Sequence, residues 1–393
     1  MSRAAGTSIN CITPPYLLRK LLESDDAAIR QAALSTLLAT ATLRGERQAR
    51  AALGGGTLLG GGRRTIFDCE NSTFLPSAQV VRTEDGPESK DESVNRAFHG
   101  LGITRDFYGQ VLDRDSIDGH GMRLDAYVHR GVNYNNAFWD GREMVFGDGD
   151  GLLFTDFTGS TDVIAHELTH GVTEFTAGLE YHNQPGALNE SMSDVFGSLV
   201  KQYSMLQTAD EADWLIGNDI FTPNIEADAL RSVKNPGSAF DNPLFGKDPQ
   251  PDHMRKFVHL PDTEEGDNGG VHINSGIPNK AFYLTAVSIG GSAWEAPGHI
   301  WYESLRASNR TTQFQEFADT TAAKAGELYG SGSTEQHAVV SAWRDVGITV
   351  SRQALPAGGR AAETADTLAR KVDALAEQVR AIAKDVAALK SRK

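Results

Sequence analysis

The segment His166-Glu167-Leu168-Thr169-His170 constrains this chain more than any other. A helix turns once in about 3.6 residues, so two histidines four positions apart leave one helix face and can meet a single ion. Glu167 then lies about 100° around from His166, beside that ion rather than on it. A carboxylate so placed can take a proton from an ion-activated water and pass it to a leaving amine. A fold that uses the segment in this way must turn one helix face toward a buried polar cavity. Taken alone the five residues leave the question open, because two His and a Glu at this spacing also occur on solvated helices.

A catalytic zinc takes about three protein ligands and keeps one position open. Asn189-Glu190-Ser191-Met192-Ser193-Asp194 begins a second helix downstream, with Glu190 and Asp194 on one face. Glu190 is the candidate third ligand. Asp194 is then placed to accept the second ring N–H of a ligand histidine, which fixes the tautomer. The flanking Gly186-Ala187-Leu188 and Val195-Phe196-Gly197-Ser198-Leu199-Val200 are apolar or small, so the acidic pair reads as buried rather than as a wet helix face.

The rest of the 393-residue chain divides by pattern. Residues 1–53 read as helical after Pro14-Pro15, with Ser24, Asp25 and Asp26 as caps and Ile29, Ala33, Leu34, Leu37 and Leu38 as an apolar stripe. Residues 54–64 hold six glycines and form a flexible linker of the kind proteases cut. Strands are predicted over 65–69, 79–83, 122–129 and 143–146, with a helix over 89–112. From residue 160 to about 350 the pattern is mostly helical. The fold class is therefore α+β, with a β-rich lobe over 65–158, a helical lobe over 159–350 and a cleft between them. In the tail, Leu368, Val372, Leu375, Val379, Ile382, Val386 and Leu389 alternate steps of four and three. Residues 360–393 thus read as an oligomerising coiled coil, or else as one amphipathic helix lying on the body.

The net charge of −15 argues against nucleic acid as a partner. Residues 1–53 and residues 357–393 each carry +3, which leaves −21 on the body. A basic leader beside an acidic body suits an intramolecular docked segment. No apolar run reaches the roughly 20 residues of a membrane span, and Pro14-Pro15 interrupts the N-terminus before a secretory signal develops. Two cysteines, Cys11 and Cys69, are too few for a disulfide framework and read as unpaired thiols.

From about Arg64 to Ile348 the chain resembles the thermolysin family. The resemblance rests on Asn135-Asn136-Ala137-Phe138-Trp139, Gly147-Asp148-Gly149-Asp150-Gly151, the two helices above, and Asp267-Asn268-Gly269-Gly270-Val271-His272-Ile273-Asn274-Ser275-Gly276, in the family's order and spacing. It implies a thermolysin-like two-lobed metallopeptidase with one zinc ion between the lobes, acting on polypeptide substrates. His166, His170 and Glu190 match the zinc ligands and Glu167 the general base. Tyr181 and His272 match the groups that stabilise the tetrahedral oxyanion, with Asp267 orienting the histidine. Asn136, the Ala137 backbone and Arg231 match the groups that hold the substrate backbone. Phe154, Phe157, Val163, Ile216 and Leu230 match the pocket for the residue after the scissile bond, and all are apolar. Cleavage before bulky hydrophobic residues is the expectation.

The resemblance also marks departures. Many thermolysin-like enzymes bind a calcium pair. Of the matching positions Asp162 and Asp213 stay acidic, while Lys201, Leu215 and Asn218 stand where carboxylates would. Calcium takes about six to eight oxygens, so the double site is expected to be absent, with a Lys201 salt bridge between Asp162 and Asp213 in its place. A further calcium site matching Thr222, Ile225 and Asp228 keeps one carboxylate, and its occupancy is left open. The leader, with Cys11-Ile12-Thr13-Pro14-Pro15-Tyr16, looks like the short pro-segment of protealysin-like precursors. The expectation is that its Pro-Pro pair fills the cleft while offering no cleavable bond. Cys11 either packs or reaches the zinc as a thiolate. Self-cleavage in or near 44–64 is the expected activation step. Family habit favours secretion, while the missing signal and the lost calcium pair tolerate a low-calcium interior, with the cytoplasm as the alternative. The competing function is a catalytically silent, zinc-stabilised scaffold oligomerised by the tail.

Overall fold

The computed structural model describes residues 10–52, 61–351 and 354. The predicted helix of 360–393 and residues 54–60 of the linker lie outside the described residues. The N-terminal half is built on a six-stranded sheet of order β1-β5-β6-β4-β2-β3: β1 Asn10–Cys11, β2 Arg64–Asp68, β3 Gln79–Thr83, β4 Leu124–Val128, β5 Ala137–Trp139 and β6 Met144–Phe146. Strand β4 runs parallel to both β2 and β6, and the other pairs are antiparallel. The helix α3, Glu92–Leu112, starts where Asp91 accepts from the Ser93 and Val94 N–H groups.

Two of these strands escape the sequence pattern. Strand β5 is buried at all three positions and so shows no alternation. Strand β1 is two residues long and exists by pairing with β5, Asn10 opposite Trp139 and Cys11 opposite Phe138. It caps what is otherwise the free edge of the sheet.

The second half is helical: α4 Thr161–Glu174, α5 Asn183–Met205, α6 Asp267–Asn274, α7 Gly276–Ile289, α8 Ala296–Ala307, α9 Phe314–Tyr329 and α10 Thr334–Asp345. Between α5 and α6 a short pair, β7 Leu215–Ile216 and β8 Arg231–Ser232, sets Ile216 opposite Arg231. Helix α4 stops at Glu174, where the chain turns and the Gly178 N–H closes on the Thr173 carbonyl at 2.8 Å. The backbones of α4 and α5 pass close at Gly197, where a Cβ would sit 2.7 Å from the Asp162 carbonyl oxygen. That approach brings the face bearing Glu190 and Asp194 against the face bearing His166 and His170.

The leader folds onto this body as α1, Pro15–Leu21, and α2, Ala27–Ala52. Pro15 takes the first helical position, where the missing N–H costs nothing. Leu17, Leu18 and Leu21 are buried, each worth about 1.5–3 kcal/mol over exposure. The predicted α2 stripe is corrected in part: Leu34 and Leu38 are 49% and 61% exposed. The inward face instead runs through Ile29, Ala33, Thr36, Thr40, Leu43 and Arg47. Its polar members have partners on the body. Thr36 Oγ1 accepts from Asn135 N–H at 3.0 Å, Thr40 Oγ1 bonds Tyr134 Oη at 3.0 Å, and Arg47 Nη2 reaches Glu174 at 3.0 Å. Arg44 pairs with Glu264. The basic leader and acidic body thus meet in specific ion pairs.

Candidate active site

Helix α4 turns His166 and His170 to one point: their Nε2 atoms are 3.1 Å apart. Glu190 of α5 lies beside both, with its Oε2 3.5 Å from His166 Nε2 and its Oε1 3.5 Å from His170 Nε2. All three side chains are buried, and their donor atoms lie within 4.8 Å of one another. Glu190 Oε2 has no hydrogen-bond partner. An orphaned carboxylate oxygen facing two imidazole nitrogens is the arrangement a bound cation satisfies, so the residues fit a zinc ion. Among the described residues this is the one His/Cys/Asp/Glu group of that kind.

The ring nitrogens turned away from this point face polar groups. His166 Nδ1 is 3.0 Å from Asp194 Oδ1. Asp194 is itself gripped side-on by Arg231, whose Nε and Nη2 donate at 2.9–3.0 Å, and by Asn279 Nδ2 at 2.9 Å. Burial alone would raise the Asp194 pKa, but Arg231 and His166 outweigh it and hold the carboxyl far below its usual range. His170 Nδ1 is 2.8 Å from Asn189 Oδ1 and 3.0 Å from Ser193 Oγ. Asn189, Ser193 and Asn279 are not identified from sequence. Asn189 and Ser193 lie inside the motif that supplied Glu190 and Asp194, and their helical spacing to each other is the signal that was available.

Glu167, one position along α4, points to the β5 side, where Oε2 accepts from the Trp139 N–H at 3.0 Å. Burial, and then the Glu190 charge, push its carboxyl well above the ordinary range. Opposite it stand Tyr181 and His272. Tyr181 Oη donates to Glu190 Oε1 and lies 3.1 Å from His272 Nε2. Asp267 holds the histidine twice, at Nδ1 (2.6 Å) and at the backbone N–H (2.9 Å). Burial would lower the His272 pKa, but Glu190 and Asp267 prevail and raise it to about 9, which favours a ring with both nitrogens donating. The loop between them needs its glycines: Gly269 and Gly270 have φ of 84° and 80°, and a Cβ on Gly269 would meet Asn183 Oδ1 at 2.3 Å.

The leader lies across these groups. Ile12 N–H donates to the Ala137 carbonyl at 3.2 Å and faces the Glu167 carboxylate. The Ile12 carbonyl accepts from Arg231 Nη1 at 3.1 Å, and Thr13 N–H donates to Asn136 Oδ1 at 3.0 Å. His272 Nε2 donates to the Cys11 carbonyl at 3.2 Å. This register corrects one expectation and separates the two alternatives for Cys11. The Pro14-Pro15 pair is not at the centre: the peptide there is Cys11–Ile12, an ordinary bond, because Pro14 and Pro15 already start α1. Nor does the Cys11 sulfur face the ligand group. Alternation along β1 sends it into an apolar cluster with Leu43, Cys69, Leu75, Tyr134, Phe138 and Val145, where burial pushes the thiol up to about 12. Tyr16 is half-buried, with its hydroxyl enclosed and without a partner.

Phe154, Phe157, Val163, Ile216 and Leu230 are all buried. The Phe154 and Phe157 rings stack at 5.7 Å, and Leu230 N–H bonds the Ile216 carbonyl at 3.0 Å. On the outer side of α4, Lys201 Nζ donates to Asp162 Oδ2 at 3.1 Å, Asp213 Oδ2 at 3.0 Å and Asn218 Oδ1 at 2.8 Å, and lies 3.5 Å from the Leu215 carbonyl. At the third candidate calcium position, Thr222 Oγ1 donates to the Leu152 carbonyl at 2.6 Å.

A sheet lobe beside a helical lobe that carries a buried His-His-Glu group with a neighbouring carboxylate defines a metallopeptidase. Family comparison agrees. The thermolysin metallopeptidase catalytic domain matches residues 57–174, and the thermolysin metallopeptidase alpha-helical domain matches residues 177–348. The chain belongs to the thermolysin family of zinc metalloendopeptidases. It is 44% identical over 346 residues to an extracellular metalloprotease of Pectobacterium carotovorum subsp. carotovorum, covering 88% of this chain and 98% of that one. It is 41% identical over 294 residues to the thermolysin of Alicyclobacillus acidocaldarius subsp. acidocaldarius, covering 72% of this chain and 50% of that one. Among solved structures, the precursor of protealysin, a metalloproteinase from Serratia proteamaculans, superposes with a TM-score of 0.77 at 46% identity, covering 86% of this chain and all of the other.

Proposed function

We propose that this chain is a self-inhibited precursor of an endopeptidase that cleaves before bulky hydrophobic residues. The observation that carries the reading is the leader's own placement. An extended segment is added antiparallel to the β5 edge and held by Ala137, Asn136 and Arg231, the groups the family resemblance assigns to the substrate backbone. Ile12, a fully buried branched apolar residue, stands where the residue after the scissile bond would stand.

His166, His170 and Glu190 would hold zinc. When bound, it supplies a Lewis acid that polarises the scissile carbonyl and makes a water acidic. Glu167, beside the His166-His170-Glu190 group and outside it, takes the proton of the attacking water and delivers it to the leaving nitrogen. His272, with its Nδ1 held by the Asp267 carboxylate, donates from Nε2 to the carbonyl oxygen as negative charge grows there, with Tyr181 beside it. Asp194 and Asn189 fix the histidine tautomers, and Arg231 couples that support to the substrate carbonyl.

Activation is then cleavage within 44–64 and departure of α1 and α2. That the protealysin neighbour is a precursor supports this, and that the Pectobacterium relative is an extracellular metalloprotease supports export, with the cytoplasm as the alternative. Lys201 takes the structural place of a calcium pair: one ammonium bonds three side-chain oxygen acceptors. The test is a peptide library digested by the processed enzyme, with and without a zinc chelator. Chelator-sensitive cuts before Leu, Ile and Phe are expected. Cuts before charged residues, or cuts indifferent to chelation, would refute the reading.

A further inference from the structure

We propose that the Cys11–Ile12 peptide bond is itself a substrate, cut in place by the same molecule's active site before the leader departs. This rests on the endopeptidase reading above and adds a second processing site, distinct from the 44–64 linker. The leader is not merely an obstacle, because it runs in the direction and register of a reactant. The Cys11 carbonyl oxygen receives the His272 Nε2 donor at 3.2 Å. The Ile12 nitrogen faces Glu167, the group that must protonate a leaving amine. The residues on the far side of the bond are fixed by Arg231 on the Ile12 carbonyl and Asn136 on the Thr13 N–H. Reactive geometry of this kind is what positioning contributes to rate.

The step is a hydrolysis and balances without any other reactant. The oxygen of one water bonds to the Cys11 carbonyl carbon and the Cys11–Ile12 bond breaks. One water proton passes through Glu167 to the Ile12 nitrogen and the second follows it, so Cys11 is left as a carboxylate and Ile12 as an ammonium. The consequence is mechanical. Strand β1 loses its covalent link to α1 and falls back to two residues of pairing with β5, while Ile12 to Leu21 stay anchored by Arg231 and the buried leucines. The upstream half of the cleft then opens first.

The experiment incubates the full zinc-loaded chain at two concentrations tenfold apart and follows intact mass and N-terminal sequence. Amide hydrogen exchange is read in parallel on the full-length Glu167→Ala chain. The expected result is a new N-terminus at Ile12 that forms at a concentration-independent rate, with slowed exchange at the Ile12 and Thr13 amides in the variant. Cuts in the linker of the same sample report a working catalytic centre. Linker cuts with an intact Cys11–Ile12 bond would overturn this inference and leave the peptidase reading standing. A rate that scales with concentration, or unprotected amides, would overturn cutting in place. No cut anywhere would overturn both readings. Ile12→Pro, which removes the N–H given to Ala137, is expected to abolish this cut while linker cuts persist.

Discussion

Replacing Lys201 by methionine keeps most of the aliphatic stem and removes the ammonium. Asp162 is fully buried, and its Oδ1 keeps two donors, Ser160 Oγ at 2.6 Å and Gly217 N–H at 3.1 Å. Its Oδ2 loses Lys201 and becomes an uncompensated buried charge. Breaking a buried pair from one side costs about 3–5 kcal/mol. The surviving donors, and the 42% exposure of the Asp213 side chain, place this case near the lower end, about 3 kcal/mol. For a body of this size the unfolding entropy is about 0.7 kcal/mol/K, so Tm should fall by about 4 °C. The assay is thermal unfolding by circular dichroism in the Glu167→Ala background, which prevents self-digestion. Adding millimolar calcium should leave the parent unchanged. Lys201→Glu would assemble an all-oxygen cluster with Asp162, Asp213, Asn218 and the Leu215 carbonyl, and calcium at about 100-fold over its Kd would stabilise it by about 2.7 kcal/mol. A Lys201→Met variant as stable as the parent, or a Lys201→Glu variant that calcium stabilises no more than the parent, would show that the ammonium does not stand in for an ion.

Three further outcomes are expected. Cys11→Ala should leave zinc content and self-inhibition unchanged and cost about 1 kcal/mol of stability, because the sulfur packs against Phe138 and Val145; an enzyme freed from inhibition by that change would return the thiolate to the metal. His129 bridges Asp148 at 2.8 Å and Asp91 at 2.9 Å, and chiefly its bond to Asp148 raises its pKa to about 9. Its folded value lies above the unfolded one, so its stabilisation is complete below about pH 6.5 and is lost as pH climbs through about 9; urea midpoints across that window should fall, and His129→Gln should flatten the fall. Deleting residues 360–393 should reduce the solution mass to that of a single chain if the heptads assemble it, whereas an unchanged stoichiometry would mean that the tail does not oligomerise.

The chemistry was more legible in the sequence than the architecture that aims it. His166 and His170 follow from helical spacing, which is local, and Glu190 from the family resemblance; α5, expected to begin at Asn189, begins six residues earlier at Asn183. Strand β3 and the core of β4 follow from turn residues and β-branched runs. What sequence could not show depends on partners far along the chain. Strand β1 is a strand only because β5 lies beside it, more than 120 positions away. The inward face of α2 mixes apolar residues with Thr36 and Thr40, which Asn135 and Tyr134 partner, so an apolar stripe picked Leu34 and Leu38, which face solvent. The Pro14-Pro15 pair suggested an uncleavable plug, yet those prolines start a helix and leave Cys11–Ile12 at the centre. The sulfur option for Cys11 failed for the same reason: strand alternation, fixed by pairing, turns the carbonyl toward His272 and the side chain toward Phe138. No helix among the described residues is long and apolar enough to cross a membrane.

The most direct measurement is zinc content and protein hydrolysis on one preparation, comparing the processed enzyme with Glu167→Ala and His170→Ala. One zinc per chain is expected in the parent and in Glu167→Ala, and loss of zinc in His170→Ala, with hydrolysis in the parent alone. Hydrolysis surviving in Glu167→Ala, or zinc retained at full occupancy in His170→Ala, would contradict the assignment of base and ligand at the site where His166, His170 and Glu190 meet.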